Sequence, residues 1–197
     1  MSTTPETAAP SDQLLRTLAS VPVATPMLNL GCGSGRHAEA LLRLGFPMHA
    51  CDPREASVVD ARAVVRELVD DETAQSCVQQ LSLGGLDDLE ATFDWVIADR
   101  TEAYLDESAN LTPLLQKAHG LLNPGGWLYL TVPAAPEESQ DAAQGLDEVA
   151  ICFAPEDLDP TEFDISFMEV QSPERVEENG EVRLHALYRR VKRPALG

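Results

Sequence analysis

The sequence predicts an α/β protein with a doubly wound, mostly parallel sheet that ends in an antiparallel hairpin. Short apolar runs alternate with segments of helical periodicity between residues 27 and 132, which favours parallel strands joined by helices. A glycine-rich turn at 31–35 directly follows the first apolar run. Near the end of the chain, the runs 163–170 and 182–191 have no helix between them and are joined through Asn-Gly at 179–180, which indicates a hairpin.

The first elements lead into the glycine-rich turn. Ser11 or Asp12 can cap a short helix, and the prolines that follow end it. The apolar run 27–30 is the first predicted strand, although it is too short for periodicity alone to decide. A helix is predicted from about residue 34 to residue 44, where a glycine can form its C-terminal stop.

The next elements repeat the alternation of strand and helix. Residues 46–51 form the second predicted strand, and Pro53 fits the first turn of a helix that runs to about residue 68. The acidic residues after that helix are predicted to face solvent. Residues 77–83 and 93–98 are the third and fourth predicted strands.

The remaining elements complete the predicted sheet. Another helix opens at residue 112, and residues 123–126 form a turn by composition. Residues 127–132 are the fifth predicted strand. The acidic, irregular segment 133–145 is interpreted as a loop beside the pocket, and a short helix is predicted to start at residue 155.

The glycine-rich turn and an acid downstream of it form the most informative pattern in the sequence. Gly31, Gly33 and Gly35 follow the first strand, and Asp52 stands roughly twenty residues later, at the end of the second. Glycines let the backbone approach a ligand, and the acid can accept hydrogen bonds from ribose hydroxyls. Arg36 occupies the place of the third glycine of the dinucleotide-binding pattern, so a nicotinamide-dependent oxidoreductase is not favoured.

Together with the order of the strands, this pattern resembles the class I S-adenosylmethionine-dependent methyltransferases. The resemblance covers residues 27–192 and implies their Rossmann-like methyltransferase fold, a three-layer sandwich. Within that superfamily, the chain resembles the small TehB-like methyltransferases of the tellurite-resistance type. The segments that carry this narrower resemblance are Asn-Leu-Gly-Cys-Gly-Ser-Gly-Arg at 29–36 and the final segment 178–191.

The resemblance implies that S-adenosylmethionine is the cofactor, and it assigns residues to the cofactor's site. The glycine turn would wrap the methionine part, Asp52 would hold the ribose, the end of the third strand would border the adenine, and Asp99 would lie near the methyl group. The cofactor-binding residues implied in this way are Asn29, Gly31, Cys32, Gly33, Arg36, Asp52, Pro53, Ser82, Leu83 and Asp99. The residues implied for the methyl acceptor are Arg100, Tyr104 and Arg175. No catalytic residue and no metal site is assigned.

The implied function is the transfer of a methyl group to a small-molecule acceptor. Three positions depart from the family pattern, however. Asn29 and Ser82 stand where relatives commonly carry acids that orient the cofactor, and Glu174 replaces a histidine that some relatives place ahead of the arginine at position 175. These departures keep a second interpretation open, which is a non-catalytic methyltransferase-like binding module or partner subunit.

Composition limits the classes of binding partner and the cellular compartment that we expect. The 197-residue chain carries a formal net charge of −19, which repels phosphate backbones, so nucleic acid is not an expected partner. No apolar run approaches the ~18 residues of a membrane helix and no signal-peptide pattern is present, so we expect a cytoplasmic protein without a membrane partner. Residues 1–10 are predicted to be a disordered leader and residues 11–193 a single domain, present as a monomer or homodimer.

Overall fold

The computed structural model of the chain describes residues 9–105, 110–136, 151–163, 165–178 and 180–191. Most of the predicted leader, most of the predicted loop at 133–145 and Asn179 of the hairpin turn lie outside the described residues. The helices are α1 Asp12–Leu18, α2 Arg36–Arg43, α3 Glu55–Val65, α4 Asp71–Cys77 and α5 Thr112–Leu121. The strands are β1 Met27–Leu30, β2 Met48–Asp52, β3 Val78–Gln80, β4 Phe93–Asp99, β5 Leu122–Pro133, β6 Phe167–Glu178 and β7 Glu181–Arg190.

The strands form one seven-stranded sheet in the order β3-β2-β1-β4-β5-β7-β6. The strands β1 to β5 pair in parallel, whereas β7 pairs antiparallel with both β5 and β6. The predicted doubly wound sheet with a C-terminal antiparallel hairpin is therefore confirmed. The order reverses at β1, which has β2 on one side and β4 on the other. In sheets of this kind, a crevice for ligands opens outside the carboxyl ends of the strands at such a reversal.

Apolar helix faces cover both sides of the sheet and make the three layers. On one side, α1, α2 and α3 pack against β-strand residues that include Met27 and Ile97. On the other side, α5 packs against residues that include Leu28 and Val96. Alternate residues of a strand point to opposite faces, so Asn29 lies on the same face as Met27. Among the described residues, none of the helices is both long enough and apolar enough to cross a membrane.

The segment between α3 and β3 differs from the sequence-based expectation. Residues 71–77, predicted to be solvated and then to enter a strand, form α4 instead. The side chain of Asp70 caps this helix, because its Oδ1 accepts the backbone N–H of Thr73 at 2.8 Å. The acids that follow lie in the first helical turn, where negative charge is favourable. The third strand is consequently short, Val78–Gln80.

Other element boundaries also move. The helices α2 and α3 begin at Arg36 and Glu55, slightly later than predicted. The strand β5 begins at Leu122, so the predicted turn at 123–126 lies inside a strand. That stretch is irregular, with Gly125 at a φ of +88°, which explains why its composition indicated a turn.

Candidate functional site

The glycine turn after β1 folds back against the end of β2. The backbone N–H groups of Gly31 and Cys32 both donate to the carbonyl oxygen of Cys51, at 2.8 and 2.9 Å. Gly31 has a φ of +74°, and a Cβ there would lie 2.9 Å from Cγ2 of Thr101. A glycine is required at this position both for its backbone conformation and for its space. Gly33 differs, because a Cβ there would meet nothing within 4 Å and the loop is open above it.

The carboxylate of Asp52 connects the second strand to this turn. Its Oδ2 accepts the backbone N–H of Gly33 at 3.0 Å, and its Oδ1 accepts the backbone N–H of Arg54 at 3.0 Å. The guanidinium of Arg54 adds two bonds, from Nε to Oδ1 at 2.9 Å and from Nη2 to Oδ2 at 3.0 Å. Burial by itself raises the pKa of Asp52, but these bonds outweigh it and hold the pKa below its ordinary value. Asp52 is therefore a buried, permanently ionised acceptor at neutral pH.

A second buried carboxylate, Asp99, ends β4. Its Oδ2 accepts hydrogen bonds from Nη2 of Arg36 and from Nε2 of His37, the latter at 2.6 Å. Its Oδ1 accepts the hydroxyl of Thr131 on β5. Burial raises the pKa of Asp99, but the bond and charge of His37, followed by Thr131 and Arg36, hold it far below its usual range. The first turn of α2 is thereby bonded to the centre of the sheet.

A cleft of about 420 Å³ lies between the glycine turn, Asp99 and the start of β7. Six of the residues predicted from the sequence line it, namely Gly31, Cys32, Gly33, Arg36, Asp99 and Arg100. The lining residues that the sequence did not single out are Ser34, His37, Arg54, Glu102 and Glu181. None of these lining residues is aliphatic, tyrosine, phenylalanine or tryptophan, so the cleft suits a polar, charged ligand.

Ion pairs close the side of the cleft that faces β7. Arg100 donates from Nη1 to Oε2 of Glu181 at 2.5 Å, and the nearly buried Arg183 pairs with Glu102. These pairs join the segment after β4 to the first residues of β7. Arg100 also has a φ of +57°, which is unusual for a residue other than glycine. Such backbone strain is concentrated at functional sites, and here it lies at the cleft wall.

Asn29, which the resemblance assigned to the cofactor site, lies on β1 and does not line the cleft. It is fully buried on β1, and neither its Oδ1 nor its Nδ2 has a hydrogen-bond partner among the described residues. A buried amide without partners is costly, because its polar groups have lost water and gained no hydrogen bond.

The other predicted residues, Asn29 and Asp52 among them, lie outside the cleft lining. The hydroxyl of Ser82, on an exposed residue, accepts the N–H of Gly85 at 3.2 Å, and Leu83 packs against the apolar core of the α5 side. The half-buried Pro53 accepts a side-chain amide bond through its carbonyl. Tyr104, expected at the mouth, is buried in that same core and donates to the carbonyl of Leu81 at 3.1 Å. Arg175 donates to the carbonyl of Ala135 at 2.7 Å.

A larger groove, of about 570 Å³, lies at the opposite, amino ends of the strands. Its wall includes Trp95 and Trp127, which stack with ring centroids 5.6 Å apart. None of its lining residues belongs to the glycine turn after β1, and Asp99 does not line it. The candidate site is therefore the smaller cleft, because its chemistry and its position at the switch point agree.

Comparisons with known proteins bear on the family and the fold of the chain. A family model described as methyltransferase domain matches residues 28–128, about half of the chain. No curated protein matches the sequence significantly. Among solved structures, TehB from Haemophilus influenzae superposes with a TM-score of 0.70 at 15% identity, covering 94% of this chain and 64% of TehB.

Two further similar structures contain the cofactor or its product. Magnesium protoporphyrin IX methyltransferase (ChlM) from Synechocystis PCC 6803 with bound SAM gives a TM-score of 0.65 at 16% identity, covering 90% of this chain and 75% of ChlM. The N-methyltransferase NodS from Bradyrhizobium japonicum WM9 with S-adenosyl-L-homocysteine gives 0.63 at 17% identity, covering 91% and 85%. At such identities, the structural likeness establishes a common fold.

Proposed function

The chain belongs to the methyltransferase domain family, and we propose that it transfers a methyl group from S-adenosylmethionine to a small, polar acceptor. The family predicted from the glycine pattern is thus confirmed. The single observation that carries the proposal is the 3.0 Å hydrogen bond from the N–H of Gly33 to the carboxylate of Asp52, which connects the glycine turn directly to the acid at the end of β2. Gly33 lines the cleft, and Asp52, which does not line it, is bonded directly to Gly33.

The residues present fit the cofactor. The open space above Gly33 admits a ligand close to the backbone, as the amino acid end of S-adenosylmethionine requires. Asp52 remains ionised near neutral pH, so its carboxylate is an acceptor suited to ribose hydroxyls once present donors give way. When bound, the cofactor supplies a methyl group already activated by its sulfonium centre, so the main task left to the chain is alignment.

The chain's own groups would align the reactants rather than exchange protons with them. Asp99 holds Arg36 and His37 in fixed positions at the cleft, and its strongly lowered pKa leaves it unable to take a proton near neutral pH. The proposal therefore assigns no general base. An acceptor that arrives as a nucleophilic anion or free amine needs none.

The lining of the cleft supports a small and polar acceptor. Charged side chains and glycines surround it, and the ion pairs Arg100–Glu181 and Arg183–Glu102 close the side towards β7. A flat apolar acceptor would remove solvent from these ion pairs, which is unfavourable. The net charge of −19 also disfavours nucleic acid as the acceptor.

Calorimetric titration with S-adenosylmethionine and S-adenosylhomocysteine tests the proposal. We expect binding with a Kd of roughly micromolar order, and a loss of at least about tenfold in Asp52→Ala, because a charged hydrogen-bond acceptor is removed. Asp60→Ala is the matched control, since Asp60 is an exposed acid on α3. Transfer of labelled methyl groups to thiols, selenite, tellurite, amines and carboxylic acids would then identify the acceptor.

A specific observation favours a second candidate, a non-catalytic binding module. The charged groups of the cleft are bonded to one another, as in Asp52 with Arg54 and Asp99 with Arg36. A domain that has lost its ligand could retain such internal pairs. The same titration separates the two candidates, because absence of heat from both ligands would eliminate the enzyme proposal.

A further inference from the structure

The carboxylate of Asp52 has all its hydrogen-bonding capacity in use. A carboxylate offers about four lone-pair sites, two on each oxygen. Oδ1 accepts the backbone N–H and Nε of Arg54, at 3.0 and 2.9 Å, and Oδ2 accepts the N–H of Gly33 and Nη2 of Arg54, both at 3.0 Å. A ribose diol therefore cannot bond to Asp52 unless two existing donors leave.

The two donors of the Arg54 guanidinium are the ones that can leave. The backbone N–H groups of Gly33 and Arg54 are fixed by the turn and by the start of α3, where Arg54 occupies the N-cap position. The side chain of Arg54, by contrast, is 57% exposed, whereas that of Asp52 is fully buried. Moving an exposed guanidinium into water costs little, because its charge remains solvated.

Arg54 also lies on the correct side of Asp52 for this exchange. Arg54 lines the cleft with Gly33 and Arg36, whereas Asp52, to which its guanidinium is bonded, does not line it. A diol approaching from the cleft would meet the Arg54 guanidinium before it met the acid. The same two oxygens would then receive two hydroxyl donors in place of two N–H donors.

We propose that Arg54 competes with the cofactor's ribose hydroxyls for Asp52 and thereby sets the affinity of the site. This inference rests on the proposed function, because it takes Asp52 as the ribose acceptor. Arg54 acts here on affinity and selectivity rather than on the methyl transfer itself. Ligands without a ribose diol have no means of displacing it and gain nothing from its removal.

The test compares Arg54→Met with Arg66→Met in the full-length chain. Arg66 is a matched control, because it is 44% exposed at the far end of α3 and donates from Nε to Asp71 at 2.9 Å. Both variants lose one positive charge, so the change in net charge is the same. Titration with S-adenosylhomocysteine at pH 8 should give about 3- to 10-fold tighter binding for Arg54→Met, the size expected of one partly exposed ion pair. Arg66→Met should bind like the wild type.

Two further measurements make the result specific. The 2′,3′-dideoxy analogue of S-adenosylhomocysteine should bind the wild type and Arg54→Met equally, because it offers Asp52 no hydroxyl. Arg54→Lys keeps the charge for folding but cannot bond both oxygens at once, so it should bind S-adenosylhomocysteine with intermediate affinity. Circular dichroism spectra establish that each variant is folded. Since both backbone donors to Asp52 remain, we expect all of them to fold.

The outcomes separate this inference from the function on which it rests. If the wild type binds S-adenosylhomocysteine and Arg54→Met binds it equally or more weakly, the competition does not exist and only the inference fails. An equal gain for the dideoxy analogue would also overturn it, because the gain would not involve the diol. If neither the wild type nor any variant binds, the proposed function and the inference fail together.

Discussion

Replacing Asp99 by asparagine should destabilise the chain strongly. Asp99 is 3% exposed and is the acceptor for Arg36, His37 and Thr131. Removing one partner of a buried ion pair typically costs about 3–5 kcal/mol. Arg36 would keep the carbonyl of Ala9 at 3.3 Å, and its side chain is 12% exposed, so part of its charge remains compensated. We therefore expect the lower end of that range, about 3 kcal/mol.

Urea unfolding followed by circular dichroism measures this loss of unfolding free energy, and thermal unfolding measures the corresponding change in Tm. In a chain of this size, each kcal/mol shifts Tm by about 2–4 °C, so Asp99→Asn should melt about 6–12 °C lower. Asp71→Asn is the control, because Asp71 is 81% exposed and pairs with the exposed Arg66, and it should lose less than about 1 kcal/mol. A loss of less than about 1 kcal/mol in Asp99→Asn would show that this cluster does not hold α2 to the sheet.

The wild type and Asp99→Asn should respond differently to acid. The pKa of Asp99 in the folded chain is far below its ordinary value, so its stabilisation is fully present above the unfolded pKa of about 4. As the pH falls below about 4, the unfolded state takes up a proton that the folded state does not, and the stabilisation is lost. The difference in unfolding free energy between wild type and Asp99→Asn should thus be constant from pH 8 to pH 5 and shrink below pH 4. A constant difference down to pH 3 would contradict the lowered pKa.

Two further predictions concern the turn after β1 and the core. Gly31→Ala should lower the unfolding free energy by about 1–3 kcal/mol, because the φ of Gly31 is +74° and a Cβ would lie 2.9 Å from Thr101. Gly120→Ala in α5, where a Cβ meets nothing within 4 Å, should instead raise the unfolding free energy by about 0.5–1 kcal/mol. Urea unfolding measures both changes, and changes of the same sign in the two variants would contradict this prediction. Tyr104→Phe should lower the unfolding free energy by about 0.5–1.5 kcal/mol, because it removes the hydrogen bond to the carbonyl of Leu81. This variant should bind S-adenosylhomocysteine like the wild type. A clear change of Kd by calorimetry would show that the hydroxyl belongs to the binding site.

The fold could be predicted largely because its strands are short apolar runs separated by glycine and proline. The run that became β1 has the predicted bounds, and the parallel order follows from the helices between successive strands. The helix α4 was missed because it buries only Ala74 and Cys77, too few apolar positions for a periodic signal. The capping residue Asp70 was a local signal for the start of this helix, but a run of acidic residues is equally typical of a solvated loop.

The site was predictable only where a local pattern fixes the geometry. The glycines of the turn and Asp52 were found by spacing, whereas His37 and Arg54 were not, because a side chain's partner depends on packing. His37 reaches Asp99, which is 62 residues away along the chain. Its only local signal was its place in the first turn of the helix that follows the glycines. Tyr104 follows β4 closely, yet the 3₁₀ turn at Glu102–Tyr104 directs its side chain into the core.

The two stacked tryptophans have a practical consequence for solution work. The chain contains only Trp95 and Trp127, and their rings lie 11° from parallel at the amino ends of β4 and β5. The Arg189 guanidinium lies 5.3 Å from the Trp127 ring centroid. Intrinsic fluorescence should therefore report the unfolding of that end of the sheet as a single event. It should stay nearly silent when a small molecule enters at the other end, so ligand titrations need an extrinsic dye or heat as their signal.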